Sequence, residues 1–125
     1  MFSFPVEVVL KGRDFAVTEQ VAVDVPGPPG WADEHVRDVL VEILRAMDRA
    51  ENPKTAAERI IVLRGFSWIV EPAGPAGTEV VIAIEIPMGA AVAGPFPANQ
   101  ADLTDRITRV LKLERQMTTA PGTVH

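Results

Sequence analysis

The sequence predicts an α+β domain of element order ββαββα, a four-stranded antiparallel sheet with two helices packed on one face. Three observations carry that expectation: two pairs of alternating apolar segments, a stretch of helical periodicity after each pair, and proline- and glycine-rich runs where the period changes. A chain of 125 residues falls in the size range of one domain. Residues 1–117 are therefore expected to form a single domain and 118–125 a flexible C-terminal tail.

Residues 2–10 alternate, with Phe2, Phe4, Val6, Val8 and Leu10 on one face and Ser3, Pro5, Glu7 and Val9 on the other. Residues 15–25 repeat the pattern through Phe15, Val17, Val21, Val23 and Val25. A two-residue turn at Gly12-Arg13 sets Lys11 against Asp14, Val8 against Val17 and Phe4 against Val21, so both apolar sets share a face. The same register puts Glu19 on that face, opposite Val6. Burial would raise its pKa and make it a candidate ligand or acid-base group, while a bulge or a place near the sheet's end would turn it to water.

Pro26-Gly27-Pro28-Pro29-Gly30 ends the second strand, and Asp33 and Glu34 suit the first turn of a helix. Val36, Val39, Leu40, Ile43, Leu44 and Met47 then recur at helical spacing until about Ala50, and Asn52-Pro53 stops the helix. Trp31 is placed as a packing anchor at its entry.

Residues 59–71 read as a long extended segment whose partner is 78–86 across the 72–77 loop. Pairing Glu71 with Thr78 puts Ile69 opposite Val80 and Ser67 opposite Ile82 on the core face, with Gly65 as a bulge. Residues 87–97 carry no charge and are rich in glycine, alanine and proline, which reads as a loop. A second helix follows, capped by Asn99 or a neighbour, with Leu103, Ile107, Val110, Leu111 and Met117 as its apolar stripe.

Composition narrows the function. Apolar residues make up 47% and charged ones 23%, as in folded globular chains. No apolar run approaches the ~20 residues of a membrane-crossing helix, and the first ten residues read as a strand, not a signal peptide. A membrane partner is not expected, and the cytoplasm is the default location. The chain has no cysteine or tyrosine and only Ser3 and Ser67 as serines, so nucleophilic catalysis has few parts available. No glycine-rich phosphate loop opens a helix after a strand, and no metal-ligand spacing stands out, so neither cofactor nor metal is expected. The net charge of −5, with nine arginines and three lysines spread along the chain, argues against a nucleic-acid partner.

The expected register of the second hairpin places Arg64, Phe66, Trp68 and Val70 beside Glu85, Ala83, Val81 and Glu79 on the face away from the helices. Phe66 and Trp68 would then stand on a surface that water should cover, and a covering is expected. The candidates are the 87–97 loop folding back through Met88 and Phe96, a second subunit, or another ligand or protein. The resulting expectation is a non-enzymatic, self-associating interaction domain, a dimer by preference, with Arg64, Phe66, Trp68, Val70, Val81, Glu85, Met88 and Phe96 as its surface. An alternative is a small-molecule binding domain or acid-base enzyme with an inter-subunit pocket lined by Glu19, His35, Arg64 and Glu85. His35, in the first turn of the first helix, is otherwise a solvated residue at a helix start.

Overall fold

Turn chemistry decides the first hairpin. In the computed structural model, which describes residues 1–54, 60–75 and 77–118, strand β1 (Phe2–Leu10) pairs with β2 (Ala16–Val23) in the expected register. Val8 faces Val17, Val6 faces Glu19 and Phe4 faces Val21. Gly12 takes a positive φ of 80°, but the turn-closing bond runs from the Arg13 amide to the Leu10 carbonyl at 3.2 Å, so the central residues are Lys11 and Gly12 instead of the expected Gly12 and Arg13. Alternation then sends Phe4, Val6, Val8 and Leu10 into the core and leaves Ser3, Glu7 and Val9 outside. Phe15 and Val17, expected with the core set, are exposed.

A short 3₁₀ turn (Pro28–Gly30) carries the chain to helix α1 (Asp33–Glu51), which ends at Asn52 as the proline after it requires. Val36, Val39, Leu40, Ile43 and Met47 are buried along one side, and burying such side chains stabilises by roughly 1.5–3 kcal/mol each. Helix α2 (Gln100–Thr118) starts where Asn99 Oδ1 accepts a hydrogen bond from the Asp102 amide at 3.0 Å, an N-cap. Its Leu103, Ile107 and Val110 complete the buried stripe. The Met117 side chain and the expected tail beyond Thr118 lie outside the described residues, as does residue 59, where the long extended segment was expected to begin.

Among the described residues the sheet has five strands, not four. The 87–97 stretch expected to be a loop contains strand β5 (Gly89–Phe96), so the order is ββαβββα. β5 is the middle of the sheet β2-β1-β5-β4-β3, antiparallel to β1 on one side and to β4 on the other. Small residues explain why the sequence conceals it: glycine and alanine have little strand preference of their own. They are needed here because β5 is crowded. A Cβ on Gly89 would lie 2.3 Å from the Val9 carbonyl oxygen, and Ala91 and Ala93 are fully buried beneath the helix layer. An extra residue near Gly94-Pro95 makes a bulge that swings Phe96 into the core.

The second hairpin is a second correction. Strands β3 (Ser67–Ala73) and β4 (Glu79–Ile86) pair Ala73 with Glu79, Ile69 with Ala83 and Ser67 with Glu85. Pro72 and Ala73 continue the strand instead of beginning the loop, which edge position permits because proline's missing N–H is not needed there. The pairing is three residues from the expected one, and an odd shift turns β3 over relative to β4. Val80, Ile82 and Ile84 face the helices and Val81, Ala83 and Glu85 face away, as expected, but Val70 now joins the buried side and Ile69 the exposed one. Residues 60–66 precede the strand without pairing, and Gly65 is a turn residue at positive φ, not a bulge within it.

Both helices cover one face of the sheet, α1 across β1, β2 and β5, and α2 against β3 and α1. An aromatic group closes the end near the entry to α1: Phe96 stands edge-on to Phe4 at 5.0 Å and to Trp31 at 5.3 Å between ring centres.

Candidate functional site

Turning β3 over moves most of the expected interaction surface. Val70 and Phe96 are in the core, and Phe66 and Trp68 are half-buried against it on the helix side. Glu85 and Val81 remain on the outer face, and Met88 is exposed in the tight β4–β5 turn. Arg64 is exposed before β3 and has no cross-strand pairing with Glu85.

The acid-base set does not converge within one chain. Glu19 faces the helix layer, as its register required, but its carboxylate meets the Arg49 guanidinium of α1, so the charge is offset by an ion pair. His35 Nδ1 accepts a hydrogen bond from the Ala32 amide at 2.8 Å, which closes the first turn of α1 in place of the side-chain cap that alanine lacks. Glu85 lies across the sheet from Glu19, on the opposite face. Among the described residues, no group of three or more His, Asp or Glu is arranged to hold a metal ion, and no helix is long and apolar enough to cross a membrane.

The outer face offers the more coherent arrangement. One row crosses β1, β5, β4 and β3 as Glu7, Val92, Ala83 and Ile69, and the next as Val9, Ala90, Glu85 and Ser67. Val9, Val92 and Ile69 are 45%, 41% and 52% exposed, far above the core values on the other side of the same strands. Between Ile69 and Val92 the short side chains of Ala83 and Ala90 leave a shallow hollow of about 300 Å³. An aliphatic band thus runs over four strands, with Glu7, Glu71 and Glu85 beside it.

The sequence places Val9 and Ala83 on the outer face but hides the band as a whole, because Ala90 and Val92 sit in the stretch expected to be a loop and Ile69 is expected in the core. A signal was present: the 87–97 stretch has no charged residue to keep a sheet face wet. A wider open hollow of about 770 Å³ continues around the sheet end, where Lys11, Phe66, Glu85 and Pro87 line it. No known protein family, curated protein or solved structure matches the chain.

The third feature is a cleft on the helix side. Phe66 and Trp68 from β3 and its approach, Leu63, and Leu111 of α2 enclose about 310 Å³, with Arg64, Arg115 and Thr108 at the rim. Here the sequence did single out three residues that come together, Arg64, Phe66 and Trp68, although on the opposite face from the one expected.

Proposed function

We propose that this protein is a non-enzymatic interaction domain that pairs with a second copy of itself through the open face of its sheet. The observation that carries the reading is the band of Val9, Val92 and Ile69 around the hollow at Ala83 and Ala90. Such a face holds both projecting side chains and a recess of matching scale, which is the self-complementarity a two-fold interface needs. Two sheets packed through small and branched residues interdigitate in the same way in β-sandwiches. The scarcity of nucleophilic side chains also favours a binding role.

Sedimentation equilibrium on the wild type and on Val92→Lys tests this. Val92 points away from the core, so the variant should keep its far-ultraviolet circular dichroism. A wild-type dimer and a monomeric variant are expected. A wild type that stays monomeric up to about 100 µM removes the proposal.

A further inference from the structure

We infer that the edge of β2, with the flank of α1 beside it, is a docking groove for an extended basic segment of another protein, which adds to the sheet as a further strand. The two ends of the sheet β2-β1-β5-β4-β3 are built differently. At the β3 end, Pro72 has no N–H to offer and the Gln100 side-chain amide donates to the Val70 carbonyl at 2.9 Å, so that edge is poorly suited to another strand. β2 carries neither device. Its 8 residues include no proline or lysine, and they pair with β1 from Ala16 to Val23 without a register shift. Among the described residues β2 pairs with β1 alone. Alternate N–H and C=O groups of β2 therefore point away from β1 in a regular row, which is what an incoming strand bonds to.

Side chains along the groove set the chemistry of the partner. Helix α1 lies across β2, and its Asp38, Val41 and Glu42 meet Ala22, Val23 and Asp24 around a hollow of about 290 Å³. Glu42 is paired with Arg45 at 3.4 Å and Glu19 with Arg49, and Asp24 and Asp38 add two more carboxylates to the hollow. At the other end of the strand Val17 is exposed, on the same side as the buried Val21 and Val23. An added antiparallel strand thus meets carboxylates at its N-terminal end, where lysine or arginine side chains reach over the hollow, and aliphatic surface at its C-terminal end. The β2 edge of a second copy would instead bring its own Glu19 and Asp24, in a chain of net charge −5, so charge favours a basic partner over self-pairing here.

The groove is built by β2 and α1, outside the band proposed for self-pairing, so the two ideas fail separately. The probe is a blocked peptide as long as β2, 8 residues, alternating valine with threonine and carrying lysine in place of the two valines nearest its N-terminus. It is titrated into the full chain, wild type and Val92→Lys, and followed by calorimetry and amide hydrogen exchange. Both proteins should bind it alike, and alternate amides of residues 16–23 should gain protection. Glutamate in place of the two lysines should weaken binding at least about tenfold, as should Asp38→Lys at its exposed helix position. Two further peptides carry N-methyl groups on one or the other alternate set of amides. One should bind and the other should not, since a single set faces β2. No binding at about 1 mM, equal binding of the lysine and glutamate peptides, equal binding of the two methylated ones, or binding without protection in β2 overturns the proposal. Protection of the same amides in concentrated Val92→Lys without peptide gives the edge to a second copy and overturns it as well.

Discussion

The carboxylate of Asp33, in the first turn of α1, accepts two hydrogen bonds from the Arg109 guanidinium of α2, at 2.9 Å from Nε and 3.0 Å from Nη2. Arg106 adds a third contact at 3.3 Å. The pair ties the start of one helix to the middle of the other, and Arg37 and Glu114 make a second tie between the same two helices.

Arg109's hydrogen bonds, with the charges of Arg109 and Arg106, hold the Asp33 carboxyl below its ordinary value of 3.8. A carboxyl lowered by folding contributes stability that is complete above its unfolded-state value and is lost as pH falls through the native-state value. Asp33→Asn should therefore lower the melting temperature at neutral pH by a small amount, because the pair is exposed to solvent. The difference between variant and wild type should disappear in strongly acidic buffer and shrink in high salt. An equal deficit at all pH values would mean that the charge is not what matters.

Gly89→Ala tests the crowding at the centre of the sheet. The added methyl would meet the Val9 carbonyl oxygen at 2.3 Å, and backbone cannot move aside as a flexible side chain can. Urea unfolding should show a loss of about 1–3 kcal/mol. A neutral substitution would show that β5 does not lie against β1 at this point.

The register of the second hairpin can be read from adjacent residues. Trp68 packs against the core and Ile69 is 52% exposed on the other face. Trp68→Glu should cost about 2–4 kcal/mol in unfolding experiments, whereas Ile69→Glu should change monomer stability by less than about 0.5 kcal/mol. The reverse ranking would restore the pairing that places Trp68 outside.

Trp31 anchors the entry to α1 with its ring at 4% exposure and its Nε1 donating to the Pro26 carbonyl at 2.7 Å. Trp31→Phe keeps a ring in place but leaves that oxygen without its donor. A destabilisation of about 1–3 kcal/mol is expected, with a cooperative transition retained.

If two copies pair through the sheet face, each brings Glu7, Glu71 and Glu85 to the same interface. Like charges oppose an association driven by apolar contact, so added salt should tighten the dimer. Weakening by salt would point instead to attraction between opposite charges.

Where local chemistry was strong, the chain could be read in advance. Gly12 supplied the turn, alternation supplied the face, and the position of Glu19 opposite Val6 followed; only the arginine that meets it came from α1. The limits of α1 were legible because Asp33 and Glu34 open it and Asn52-Pro53 closes it. The candidate surface was less legible. Ile69 and Val70, like Val81 and Ile82, are neighbours of similar hydrophobicity, so both faces of this hairpin satisfy a core pattern and alternation has nothing to choose between.

The sequence by itself determined the first hairpin, both helices and the α+β class, since each depends on side-chain period and turn chemistry within a few residues. Tertiary structure decided the fifth strand and the outward face of β3. A segment of glycine and alanine becomes a central strand only when two neighbours bond to its edges and a helix layer leaves room for nothing larger. The outward face of β3 is likewise decided by contact: Val70 and Trp68 pack against the core on the side that α2 covers, which leaves Ile69 outside.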